Sequence, residues 1–350
     1  MPVKKEKKSN IEFMRAVCAL GILIYHFSAH VSSPLNFMMM YANGNISGAL
    51  IDVFLIISGA MLYLNNTEIA SLKEFYYKRF KSLYPPFYIA FGCFFLYRVI
   101  RLKKFFYLDC SPFMLILSLL GVDGYFLSYA PNYYILGEWF LGAIIILYLI
   151  YPVLLYGIRK YPVVTTLLVF SAYAGIIFYN VFQTSLKNIF SCMMSFYVGM
   201  LLQKHERLIK NYFVFGVSAL IGVILAVYRL PFITNPENVS FKNVMNHLMG
   251  LCLFITLYHV GSFITRVRLI QKITDYLGSL SYPVFLLHHQ IILITVGIYN
   301  PTATVDYFII LGAVITVTLI LSFALKTVTR FLLKSQPYRD FEALILKKHN

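Results

Sequence analysis

Residues 10–31 read NIEFMRAVCALGILIYHFSAHV, a run apolar enough to cross a lipid bilayer as one helix. It nevertheless carries Arg15 near one end and His26 well inside. Ionisable side chains at membrane depth are costly, and they usually face a partner or a water-filled site. The two lie about three turns and ~16 Å of helical rise apart, so both fall on one helix face. His26 alone could be polar glue between helices. An aligned arginine shifts the reading toward chemistry.

The rest of the chain has the same character. Of its 350 residues, 59% are hydrophobic and only 13% charged, a balance that a soluble protein would not keep in solution. Apolar runs recur at 11–31, 46–64, 83–99, 138–157, 163–180, 188–203, 212–229, 245–264, 279–298 and 306–326. They predict an all-α polytopic membrane protein of about ten transmembrane helices. No intervening stretch is long and polar enough for a second domain. Residues 1–350 are therefore expected to form a single transmembrane domain with no appended soluble domain. The opening MPVKKEKKSN has no small-residue cleavage site after it, and Arg15 interrupts the apolar run. This is the pattern of a retained span rather than of a signal peptide.

One apolar segment, Phe105 to Leu127, is broken by Asp109, Pro112, Gly121, Asp123 and Gly124. If it does not cross, 23 of the 30 lysines and arginines fall on the side of the two termini. If it crosses, the later loops invert and the split becomes 12 to 18. The positive-inside rule favours the first arrangement, with both termini cytoplasmic and a re-entrant or interfacial element near 105–128. The net charge of +16 then reads as topology signals and contact with membrane lipids, and no nucleic-acid partner is expected. The five cysteines show no paired spacing, so no metal site is expected. No internal repeat of the transporter kind is present.

Four further stretches offer candidates. The second span carries Asp52 near its expected outer end, where a lone carboxylate can be solvated, and the small pair Ser58-Gly59, mostly a packing signal. The stretch EFYYKRFKSLYPPFY, residues 74–88, sets Lys78, Arg79 and Lys81 just before a Tyr84-Pro-Pro helix entry. Topology alone accounts for three cations, and their density also suits a phosphate-rich ligand. Trp139, the single tryptophan, is placed at the outer interface with Glu138 beside it, either a working carboxylate or a solvated one. Finally, LGSLSYPVFLLHHQII, residues 277–292, holds adjacent His288 and His289, which point about 100° apart on a helix. Lys204, His205 and His259 read as ordinary boundary residues.

Taken in order, these pieces resemble the membrane acyltransferase family 3, the integral acyl-CoA-dependent O-acyltransferases. Arg15 and His26 match that family's Arg–ten residues–His signature. IDVFLIISG is similar to its second span, KRFKSLYPPF to its basic motif, EWFLGAIIILYLIYP to its Trp-containing span, and LGSLSYPVFLLHH to its late Ser-Tyr element. The chain departs at Ser82, where the family has a second arginine, and at Ala143, where it often has an acid. The resemblance implies transfer of an acyl group, acetyl first, from cytoplasmic acyl-CoA to a hydroxyl of a cell-envelope or extracellular glycan. Acetyl-CoA would be the donor, a carbohydrate or lipid-linked glycan the acceptor, and the bacterial plasma membrane the location. His26 and Arg15 would act in catalysis, with His288 and Glu138 as weaker candidates. Lys78, Arg79, Lys81 and Tyr84 would hold CoA, and Asp52, Trp139 and Ser58 would meet the acceptor. A glycolipid or small-molecule transporter or flippase is the alternative.

Overall fold

Every regular element among the described residues is a helix. A computed structural model describes residues 9–32, 46–104, 110–126, 133, 135–136, 139–179, 188–227 and 239–346, the side chains of 239–242 excepted. In chain order the helices are α1 (Ser9–His30), α2 (Ile46–Asn65), α3 (Leu72–Leu102), α4 (Leu115–Leu119), α5 (Asp123–Phe126) and α6 (Trp139–Lys160). They continue as α7 (Pro162–Tyr179), α8 (Ile189–Lys204), α9 (Glu206–Ile209), α10 (Tyr212–Val227) and α11 (Val239–Ile264). The last four are α12 (Arg268–Ser279), α13 (Ser281–Ile298), α14 (Thr304–Lys334) and α15 (Gln336–Leu346).

Seven of these (α1, α2, α3, α6, α11, α13 and α14) contain a stretch long and apolar enough to cross a membrane. Helices α7, α8 and α10 are apolar over a shorter length. All ten expected segments therefore contain a helix, and seven have the reach of a span.

The described part of the broken segment near 105–128, residues 110–126, is made of short pieces. A single 3-10 turn, Pro112–Met114, runs into α4, and α5 follows. Between them Gly121 takes a φ of 72°, a left-handed turn that glycine adopts without strain. Among the described residues the longest helical piece has five residues, far short of a crossing.

Helix α3 corrects the expected helix entry at Tyr84-Pro-Pro. Ser71 caps it, accepting a hydrogen bond from the Glu74 amide at 3.3 Å, the Ser-x-x-Glu arrangement of a capping box. The helix thus starts ahead of the basic motif and runs through Pro85 and Pro86. Those prolines remove two helical N–H groups. Beside them the Tyr282 hydroxyl donates to the Leu83 carbonyl at 2.8 Å. Lys78, Arg79 and Lys81 consequently sit on a helix and not on a loop.

The chain divides into two compact units. The first takes residues 1–66, 157–281 and 300–311. Its core sets Ile11, Met14, Cys18 and Ile22, a three- and four-residue stripe of α1, against Val53, Ile56 and Ile57 of α2 and Phe254 and Ile255 of α11. Lipid supplies little hydrophobic drive between helices, so close backbone approach through small residues must hold them. A β-carbon placed on Gly59 of α2 would lie 1.9 Å from the Phe196 carbonyl oxygen, and one on Gly199 of α8 would lie 2.1 Å from that of Ile56. The packing role expected of Ser58-Gly59 is therefore carried by Gly59.

The second unit takes residues 67–156, 282–299 and 312–350. Within it Phe75 of α3 stacks on Tyr151 of α6 at 5.5 Å between ring centres, and the Tyr76 hydroxyl donates to the Leu149 carbonyl at 2.9 Å. Phe285 of α13 packs edge-on against Phe140 of α6.

Candidate active site

In the first unit, α1 carries Arg15 and His26, both half-buried, on one continuous helix. Its start is pinned from two sides. Gln271 donates to Ser9 at 2.8 Å, and Asn10 donates to Ser262 at 3.2 Å. Gly278 of α12 lies so close to the Glu12 backbone that a β-carbon would come within 2.3 Å of its carbonyl oxygen. The other end is held by Tyr307, whose hydroxyl is 2.8 Å from that of Ser28 and whose ring packs on Phe27. His26 lies edge-on to the Tyr25 ring at 5.2 Å.

Arg15 has a resident partner. Its Nη1 donates to Glu12 Oε1 at 3.1 Å, one turn back along α1. The Glu12 side chain is 12% exposed, and its Oε2 has no hydrogen-bond partner among the described residues. A buried carboxylate beside an arginine fixes the guanidinium while leaving other N–H donors of its fork for a ligand. Reading from sequence passed over Glu12. The signal was available in an acid three residues before a cation inside an apolar run.

In the second unit, the three cations of the basic motif on α3, Lys78, Arg79 and Lys81, prove unlike one another. Lys78 pairs with Glu74 at 2.6 Å with both side chains more than half exposed, a solvent-side helix pair of small energetic weight. Lys81 pairs with Glu342 of α15 at 2.7 Å. Arg79 lies over the rings of Phe75 and Tyr148 at 5.6 and 5.8 Å, and its buried Nε has no hydrogen-bond partner among the described residues. Cation–π contacts hold such a guanidinium without neutralising it. Arg79 is thus the member of the motif best disposed toward an anion. Tyr84, expected at the cofactor, is occupied by the fold: its hydroxyl donates to the Leu120 carbonyl at 3.0 Å, and its ring stacks on Phe80.

His288 of α13 is buried, and its Nδ1 is 3.0 and 2.9 Å from the carbonyl oxygens of Val284 and Phe285. Carbonyls only accept, so Nδ1 carries the proton and the neutral ring keeps its lone pair on Nε2. The His289 ring is 4.9 Å away. Trp139 is the half-buried first residue of α6. Glu138 lies outside the described residues.

The model of an acyltransferase domain matches residues 8–327. The chain belongs to acyltransferase family 3. No curated protein and no solved structure matches it. The family match covers all five sequence pieces, so the chain is a membrane acyltransferase, and Arg15 and His26 lie on a helix of spanning length.

The acyltransferase corrects the expectation of a solvated Asp52. That residue is 2% exposed, deep among α2, α8 and α11. Ser195 Oγ donates to Asp52 Oδ1 at 3.0 Å, and His247 Nδ1 lies 2.7 Å from Oδ2, at ion-pair distance. Gly250, one turn beyond His247, makes the room, since a β-carbon there would sit 2.5 Å from that of Asp52. His247 Nε2 and the Tyr173 hydroxyl are buried without hydrogen-bond partners among the described residues, the two rings meeting edge-on at 5.2 Å. Asp52 is therefore engaged by the protein interior. Ser58 is similarly engaged, its hydroxyl donating at 2.8 Å to the Phe54 carbonyl of its own helix.

Outside the spans, Asp123 opens α5 with its Oδ1 accepting from the Gly124 amide at 2.9 Å. Burial raises its carboxyl above the ordinary carboxylate range, and the hydrogen bond from the Gly124 amide, together with the nearby Ser118 hydroxyl, offsets part of that rise.

Proposed function

We propose that this acyltransferase moves an acyl group, acetyl in the first instance, from acyl-CoA to a hydroxyl of a cell-envelope glycan. The observation that carries the reading is the Arg15–His26 pair on one helix of a chain matched over residues 8–327 by an acyltransferase domain. With ten spans and both termini cytoplasmic, Arg15 lies toward the side that holds CoA, and His26 lies toward the outer half of the membrane.

Each group has a defined task. Arg79 and Lys81 meet CoA phosphates, for which a guanidinium offers paired donors. Arg15, oriented by Glu12, polarises the thioester carbonyl. His26 takes the acceptor hydroxyl proton as the oxygen attacks the carbonyl carbon. The C–S bond then breaks, and the imidazolium returns the proton to the departing CoA thiolate. In the two-step form the His26 ring itself holds the acyl group between donor and acceptor. Lys78, already paired in solvent, adds only to the field.

Labelled acetyl-CoA supplied to membranes holding the wild type, Arg15→Ala or His26→Ala tests this. Label should enter envelope carbohydrate in the wild type and fall by about 100- to 10,000-fold in His26→Ala. Equal labelling in all three would sink the mechanism. Acyl-histidine trapped by rapid acid quench would select the two-step form.

A further inference from the structure

Helix α15 lies beyond the residues matched by the family, and it places an acid on the basic motif. Glu342 sets both carboxylate oxygens against Lys81 Nζ, at 2.7 and 2.9 Å. One turn earlier Tyr338 adds two contacts: Lys81 Nζ lies 5.6 Å from its ring centre, and the Tyr77 hydroxyl is 3.3 Å from its own. Tyr338 and Glu342 are four residues apart and share one face of α15, so the helix reaches the motif with a single side.

That attachment is polar and shallow. No residue of α15 is buried, and Phe341 and Leu344 are exposed. The Lys81 and Glu342 side chains each keep about a third of their surface exposed, at 32% and 29%. Exposed pairs of this kind hold weakly. A brace needed for the fold would be expected to bury apolar side chains fully, and in this helix Tyr338, Ile345 and Leu346 are only partly covered.

We infer that α15 is a displaceable clamp in which Glu342 occupies the anion position at Lys81 and must leave before a phosphate can bind there. The inference rests on the assignment of Lys81 to the CoA phosphates. Lys81 is neutralised in either state, by Glu342 in the closed form and by phosphate in the open one. A phosphate carries more charge and more acceptor oxygens than a carboxylate, so it can take the lysine over. The apparent affinity for CoA is then reduced by the fraction of molecules that are closed. By reciprocity, CoA must loosen α15.

The test uses the full chain in lipid nanodiscs with coenzyme A as the probe. Glu342→Gln keeps the side-chain shape and removes the charge. It should bind CoA about two- to fivefold more tightly than the wild type, the range an exposed ion pair supplies. Hydrogen exchange across residues 336–346 of the wild type should rise when CoA is added. Unchanged or weaker CoA binding by Glu342→Gln, or protection of α15 by CoA, would overturn the clamp. If wild type and Glu342→Gln both unfold at the same temperature and neither binds CoA, the donor assignment falls and takes the clamp with it. If Arg79→Ala loses CoA while Glu342→Gln matches the wild type, the donor assignment stands and the clamp alone fails.

Discussion

His247 Nδ1 lies 2.7 Å from an Asp52 carboxylate oxygen, and both side chains are buried in the first unit. Ser195 has one hydroxyl proton, which it gives to Asp52 Oδ1, so at 3.0 Å it can only accept from His247 Nδ1. The carboxylate therefore sets the tautomer of the histidine. Removing one member of such a group strands the other in a low-dielectric interior, at a cost of about 3–5 kcal/mol, whereas removing both costs less. Asp52→Ala should lower the unfolding midpoint in nanodiscs sharply, and Asp52→Ala/His247→Leu should recover part of the loss. A double variant no more stable than the single one would count against the coupling.

The contrast between Asp52 and Gly59 shows what could be read from sequence. Helix positions were legible because long apolar runs leave the backbone no alternative in lipid. Ser58-Gly59 was legible as packing, since small residues have one main use between helices. Asp52 was misplaced because the partners that explain it, Ser195 and His247, lie 143 and 195 positions away along the chain. Nothing in either sequence neighbourhood points to the other. Glu342 escaped notice for the same reason: its contact with Lys81 joins residues 261 positions apart. The Arg15–His26 alignment needed only helical geometry, and it was visible at once. The early start of α3 was signalled by Ser71 and Glu74, but Pro85-Pro86 is the louder signal and suggested a later entry.

Glycine substitutions should separate packing from mere conformational freedom. Gly59→Ala drives a methyl into the Phe196 backbone, which cannot swing aside as a side chain would. A loss of about 1–3 kcal/mol, or failure to fold, is expected from overpacking of this kind. Gly92, within α3, has nothing within 4 Å of its β-carbon position. Gly92→Ala should be neutral or raise the midpoint slightly, because alanine favours the helix by roughly 0.5–1 kcal/mol. Thermal unfolding of the two variants beside the wild type decides it. Equal effects at the two positions would refute the interlock of α2 with α8.

Asp123 gives the described part of the 105–128 element, residues 110–126, a pH dependence with a definite sign. Its folded carboxyl titrates above the unfolded one, chiefly because it is buried. Below the unfolded value both states hold the proton and there is no effect. As pH rises through the window between the two values, the unfolded chain ionises first and the folded state loses stability. Above the folded value the loss is constant. Asp123→Asn carries no proton to lose, so its unfolding midpoint should decline less than that of the wild type between pH 4 and pH 8. Parallel curves for the two proteins would exclude the assignment.

The Glu12–Arg15 pair makes the final prediction, because it distinguishes a positioning residue from a reacting one. If Glu12 only orients the guanidinium, Glu12→Gln keeps an acceptor at nearly the same place and should retain most of the turnover. Glu12→Ala frees Arg15 to swing away from its 3.1 Å contact and should cut turnover about tenfold or more, since small misplacements of a catalytic group cost up to about 100-fold. Arg15→Ala removes the donor itself and should fall further. Arg15→Lys keeps the charge but not the planar fork, so it should recover little if paired donors matter. The measurement is CoA release from acetyl-CoA in nanodiscs, with CoA binding followed alongside. Binding should stay within a few-fold across the series while turnover spreads. If Glu12→Ala matches the wild type in turnover while Arg15→Ala is inactive, the pair is a structural contact and Arg15 orients itself by other means.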